Sequence, residues 1–131
     1  MYTLTQNSTF SDEIELKHQD GTSEILSIHL SISPETVKKY RSLEVELIDL
    51  QKKANETPAS PAVLEKIGET IVSLFSLLFG EENCEKILQF YSDDFIQMTA
   101  DLFPYIQNII IPKFQELAKQ RKQAFKKKIW K

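Results

Sequence analysis

Cysteine, glycine and long apolar runs are all scarce in this chain of 131 residues, and each scarcity excludes something. A lone Cys84 rules out an internal disulfide. Its neighbours Glu82 and Glu85 are acidic and do not favour a thiolate, so Cys84 reads as a core-facing helix residue in a reducing cytoplasm. The three glycines, Gly21, Gly68 and Gly80, stand isolated and build no phosphate-cradling loop. Apolar stretches such as Ile109-Ile110-Ile111 fall far short of the roughly 20 residues that a membrane span needs. Met1-Tyr2-Thr3-Leu4 has neither the basic start nor the apolar run of a signal peptide. No nucleophile elbow, metal-ligand spacing or cofactor fingerprint occurs, so the expectation is a protein without catalytic residues, metal or cofactor.

What is present is a globular balance, 41% apolar and 27% charged, long enough for one domain over 1–131 with one core. Charge is unevenly placed. From Lys119 onward there are seven basic residues and no acid: Lys119, Arg121, Lys122, Lys126, Lys127, Lys128 and Lys131. Residues 1–118 carry nine basic and 19 acidic side chains, a balance of −10. An acidic body with a basic tail points to an acidic partner, to nucleic acid, or to the acidic body of a neighbouring copy.

Alternation is the first periodic signal. Ile14, Leu16 and His18 face one way against Glu13, Glu15 and Lys17; Leu26, Ile28, Leu30 and Ile32 then oppose Ser27, His29 and Ser31. Asp20-Gly21 between them is a turn signal, so 12–32 reads as a β-hairpin with one apolar face that must rest on helices. Residues 1–11 are polar and loosely held unless Tyr2, Leu4 or Phe10 docks.

The remainder is helical, giving a mainly α fold of four to five helices with a minor β part. Ser33-Pro34-Glu35 opens a first helix over 34–55, with a stripe of Val37, Tyr40, Leu43, Leu47, Leu50 and Ala54. After a linker over 55–60, a helical core with a basic tail occupies 60–131. Ser60-Pro61 starts a helix to Phe79 whose face is Leu64, Ile67, Ile71, Leu74 and Leu78, with Gly80 stopping it in the left-handed conformation. Gly68 within it marks a close helix approach. Cys84, Ile87, Leu88 and Tyr91 form a short helix. Ser92-Asp93-Asp94 reads as the cap and first turn of the last helical region, whose stripe is Phe95, Met98, Leu102, Ile106 and Ile109. Pro104 and Pro112 each predict a kink or break there.

Two histidines, His18 and His29, could face each other across the hairpin, but no third ligand accompanies them. The acidic pairs Glu81-Glu82 and Asp93-Asp94 precede helices, where acids complement the dipole, so they read as structural. The basic tail has two readings. Lys119, Lys122 and Lys126 share a helical face interleaved with Phe125 and Trp130, the pattern a nucleic-acid-binding regulator would use. A lysine-rich helix end also complements the dipole and stays solvated.

The run Leu78-Phe79-Gly80-Glu81-Glu82-Asn83-Cys84-Glu85-Lys86-Ile87-Leu88 carries a family resemblance, as do Phe90-Tyr91, Phe103-Pro104-Tyr105-Ile106 and Ile111-Pro112-Lys113-Phe114 with the lysine-rich close. Over residues 60–128, about half the chain, it resembles the tail assembly chaperones of tailed bacteriophages and prophages of Gram-positive hosts, in style and spacing rather than by an invariant motif. The resemblance implies a non-enzymatic protein of the host cytoplasm that coats the long tape-measure protein and hands it to tail-tube subunits. On that reading Phe95, Met98, Leu102, Phe103 and Ile106 are candidate partner-facing residues as well as candidate core. Many members of that family are made in two lengths by ribosomal frameshifting, and Lys126-Lys127-Lys128 is a run that adenines could encode.

Overall fold

In a computed structural model, the structure describes residues 1–2, 9–56 and 60–129, with the side chains of all but 56 and 124–129. Strands β1 (Thr9–Lys17) and β2 (Ser23–Ser31) form an antiparallel hairpin, followed by helices α1 (Pro34–Glu56), α2 (Pro61–Phe79), α3 (Glu81–Phe90), α4 (Phe95–Tyr105) and α5 (Ile111–Ile129). A π turn over Ile106–Ile110 joins α4 to α5 without a break. The protein is mainly α with a small β part, as its periodicities predict.

The hairpin begins earlier than 12 because Phe10 docks against the core on the side of Ile14 and Leu16. Its turn is wider than an Asp-Gly pair alone. His18 N–H donates to Thr22 O at 2.8 Å and Gly21 N–H to His18 O at 3.1 Å, with Gly21 at φ +90°. This is a three-residue loop in which glycine takes the positive φ after a turn. The Asp20 carboxylate accepts from the Thr22 amide and hydroxyl at 2.9 and 2.6 Å, which holds Asp20 below the usual carboxylate range. His18 therefore closes the loop just past the end of β1, edge-on to Phe90 at 5.2 Å, while His29 pairs with the Ser11 hydroxyl at 3.1 Å. The two histidines do not face each other.

Leu26, Ile28, Leu30 and Ile32 are all buried, so the alternating strand lays its whole apolar face on the helices. Polar contacts fix the seating. Asn83 on α3 donates to Ser27 O at 2.7 Å and to Phe79 O at 2.9 Å, joining a strand edge to the end of α2. Lys86 pairs with Glu24 at 3.4 Å, and the Tyr105 hydroxyl donates to Asp12 at 2.6 Å. Asp12 sits opposite Ile28 on the apolar side of β1, and Tyr105 gives that carboxylate a partner.

Helix α1 starts where Ser33 caps the Thr36 amide at 3.2 Å, and its predicted stripe faces inward. Of the face predicted for α2, Ile71, Leu74 and Leu78 are buried and Ile67 is half-buried, but Leu64 is 52% exposed. Among the described residues no side chain covers the first turns of α2 at that point, and Leu64 instead lines a groove. Gly80 separates α2 from α3 alone, at φ +90° and ψ 152° rather than in the left-handed helical region. Its amide caps Ser76 O at 3.0 Å and its carbonyl receives Cys84 N–H at 2.9 Å, so one residue ends one helix and begins the next. Ser92 and Asp93, at φ 51° and 61°, close α3 rather than starting α4; the cap is Asp94, whose side chain accepts from the Gln97 amide at 3.2 Å.

The two prolines do not break the last helix. The irregularity lies between them, where the Ile111 amide donates to Ile106 O across five residues. The buried residues Met98, Leu102, Ile106, Ile110 and Phe114 follow one another every four residues. In a plain α-helix each such step drifts by about 40°, and the extra residue in the π turn recovers part of that drift. Ile110 thus takes the inward place expected of Ile109, which is 41% exposed.

Candidate partner-binding surfaces

Among the described residues, two open apolar grooves and a basic helix end are features through which this fold could engage a partner. The first groove, about 510 Å³, runs between α1 and α4. Tyr40, Leu47 and Ile48 line one wall, Phe103 and Ile111 the other, with Leu74 below and Glu44, Gln51 and Gln107 among its polar residues. It exists because α1 packs mainly on α2 rather than on α4, which leaves the cleft between α1 and α4 open. Ile48 in the groove wall is 46% exposed, and Val45, one turn earlier and beside the groove rather than in its lining, is 66% exposed. The Thr99 hydroxyl is buried in the groove lining without a hydrogen-bond partner among the described residues. Burial and the adjacent Glu44 carboxylate push the Tyr40 phenol well above its ordinary value, so it stays protonated. Its ring leans on Phe114 at 5.5 Å, tying α1 to α5.

The second groove, about 500 Å³, lies between α2 and the start of α4 and is lined by Leu64, Gly68, Val72 and Phe95 with Glu65 and Glu69. Gly68 is buried, and a Cβ placed on it would meet the Phe95 ring at 3.4 Å, the close approach its position predicts.

Of the five candidate partner-facing residues, Met98, Leu102 and Ile106 are buried in the core. Phe95 and Phe103 are half-buried and line different grooves, so the structure does not bring the five together as one surface. In the basic tail, Lys119, Arg121 and Lys122 are exposed on α5. Lys126, Lys127 and Lys128 continue the same helix with side chains outside the described residues, as is the side chain of Phe125; Trp130 and Lys131 lie outside them altogether. Val45 and Ile48 were missed by the helical stripe because they lie beside it, and an apolar face broader than the stripe was the available signal.

The remaining reactive groups are occupied structurally. Cys84 is buried, its Sγ 3.7 Å from Val72 O, and burial pushes its thiol pKa up. The Tyr91 hydroxyl donates to Asp101 at 2.8 Å, and burial followed by that carboxylate pushes the phenol up to about 12. Tyr105 is raised by burial and by Asp12, whose own carboxyl is lowered by the Tyr105 hydrogen bond. Glu81 and Glu82 sit in the first turn of α3. Among the described residues no group of three or more His, Cys, Asp or Glu is placed to hold a metal, and no helix is long and apolar enough to cross a membrane.

These features define a small helical domain with a hairpin buttress and uncovered apolar grooves. No protein-family model matches the chain, and no significant match was found among curated proteins or solved structures.

Proposed function

We propose that this protein is a non-enzymatic tail assembly chaperone that shields a long helical tape-measure protein in the host cytoplasm until tail-tube subunits take it over. The observation that carries the reading is the open groove between α1 and α4, where Leu47, Ile48, Phe103 and Ile111 offer an apolar floor and walls. An amphipathic helix binds such a groove through residues spaced by three and four. A tape measure is a long series of such helices, and apolar faces left bare would aggregate. The resemblance carried by 78–88, 103–106 and 111–114 supports the same reading.

The test is co-purification with a coexpressed tape-measure protein, comparing the wild type with a Val45→Asp, Ile48→Asp double variant. Both positions are exposed enough that folding changes by no more than about 0.5 kcal/mol per site. Loss of one apolar anchor removes about 1.5–3 kcal/mol of binding, so affinity falls roughly tenfold or more. Unchanged capture by the variant overturns the assignment of this groove. The competing reading, a nucleic-acid-binding regulator, rests on exposed Lys119, Arg121 and Lys122. It predicts salt-sensitive retention of DNA or RNA that charge reversal there abolishes and that the groove variant leaves intact.

A further inference from the structure

We propose that Glu44 makes the groove between α1 and α4 selective for amphipathic helices that carry a lysine or arginine one turn from their apolar anchors. This rests on the groove being the partner site, and adds the chemistry of what it admits. Glu44 is half-buried and is the only charged side chain among the described residues that line the groove.

The acids of α1 are not all placed alike. Glu35 and Asp49 each have a lysine four residues on, Lys39 at 3.1 Å and Lys53 at 3.4 Å. Four residues on from Glu44 is Ile48, which lines the groove instead. Arg41 lies three residues before Glu44, yet neither it nor any other cation among the described residues forms an ion pair there. The carboxylate has only the Tyr40 hydroxyl beside it, a neutral donor from the preceding turn. Water in the open groove solvates the rest of it. An occupant that covers the groove removes that water, and a charge shut in without a counter-charge is strongly unfavourable. A helix that brings an ammonium or guanidinium to Glu44 avoids this cost, whereas one that brings a glutamate adds repulsion. Selectivity therefore comes mainly from rejecting helices of the wrong charge.

The position of the charge also fixes which way round the occupant lies. Tyr40 leans on Phe114, so the Glu44 end of the groove is the end towards α5. Thr99 precedes Phe114 by fifteen residues of one uninterrupted helical run, roughly 22 Å. The end formed by Gln51 and Thr99 thus holds neutral polar groups alone. From Tyr40 to Gln51 the lining of α1 extends about 16 Å, or three helical turns. An occupant of that length sets its apolar anchors over Leu47, Ile48 and Phe103 and its basic residue one turn nearer α5. The body over 1–118, at −10, attracts such a helix before contact.

Fluorescence anisotropy with three labelled synthetic peptides tests it. Each is an alanine-rich helix of about 20 residues with leucine anchors spaced by three and four. They differ at one site, a turn outside the anchors, which is lysine, glutamine or glutamate. At about 50 mM salt the lysine peptide should bind roughly tenfold more tightly than the glutamate peptide, with glutamine between, and about 500 mM salt should narrow the gap. Glu44→Gln, which keeps an acceptor for the Tyr40 hydroxyl, should bring the three affinities together, and Glu44→Lys should invert their order. Circular dichroism confirms that each variant is folded. Equal affinities on the wild type, no binding by any peptide, or a lysine preference that survives Glu44→Gln overturns the proposal. Binding that survives Ile48→Asp places the peptide elsewhere and overturns it too. So does self-association of the free chain that Glu44→Lys dissolves, which assigns the groove to a second copy. Capture of a tape measure without any charge preference would leave the chaperone role standing and remove this inference alone.

Discussion

Two glycines, one in the middle of α2 and one just past its end, should respond to alanine in opposite directions, and the contrast tests the local geometry sharply. Gly68 is in mid-helix, where alanine is favoured over glycine by about 0.8–1.0 kcal/mol because it restricts the unfolded chain. The added Cβ would meet the Phe95 ring at 3.4, 3.6 and 3.7 Å, close but ordinary contact that a half-buried ring can absorb. The net expectation for Gly68→Ala is about 0.5–1 kcal/mol of added stability, or roughly 2–4 °C in Tm for a domain of this size. Gly80 has nothing within 4 Å of a Cβ, so sterics with neighbours cannot decide its case. Its backbone at φ +90° and ψ 152° lies in a region that only glycine occupies freely, and Gly80→Ala should cost about 1–3 kcal/mol, roughly 4–11 °C. Differential scanning calorimetry or urea unfolding reads both. A Gly68→Ala variant that loses several degrees would mean Phe95 is packed against the helix backbone too tightly to yield. A Gly80→Ala variant that melts like the wild type would mean the α2–α3 junction is not built as described.

Further substitutions probe other links. Phe75 is fully buried beside Phe79, so Phe75→Ala should lose about 3–5 kcal/mol in urea unfolding. Asp94→Ala removes the cap of the Gln97 amide and should cost about 1 kcal/mol, whereas Asp93→Asn, which preserves tolerance of positive φ, should cost little. The Tyr105–Asp12 tether makes a pH prediction of definite sign. Asp12 is lowered from 3.8 in the fold, so its contribution is present above that value and fades as pH falls through the lowered one. Tyr105 is raised from 10.0, so its contribution is present below that value and fades as pH rises through the raised one. Tyr105→Phe should therefore flatten both the acid and the alkaline flanks of the stability profile, and unchanged flanks would contradict the tether. Cys84 should react with a thiol reagent only at the rate of unfolding, measurable by adding denaturant below the midpoint.

How much of this was legible in the sequence depends on whether the signal was local. Leu26, Ile28, Leu30 and Ile32 alternate without interruption, and a period of two admits one reading. Ser33 marks a helix start by its hydrogen bond to the Thr36 amide, and Pro34 and Pro61 by their fixed φ, none of which needs tertiary knowledge, while Ser60 precedes α2 without a side-chain cap. Ile109 and Ile110 were interchanged because a π turn adds one residue that no spacing rule anticipates, and two prolines suggested breaks in its place. Leu64 fits a core stripe by spacing, but a stripe says which residues share a face and not how far along the helix a partner extends. The grooves were invisible for the same reason. Each depends on where two helices diverge, a distance set by packing between segments far apart in sequence. Asp12 could not be read as buttressed at all, since its partner lies 93 residues away.

The central claim is tested most directly by expressing a candidate tape-measure protein with and without this chain and measuring the soluble fraction. A chaperone that covers apolar helices keeps the tape measure soluble as a complex, and the Val45→Asp, Ile48→Asp variant returns most of it to the pellet. A tape measure that is equally soluble without the chain, or equally insoluble with it, contradicts the account.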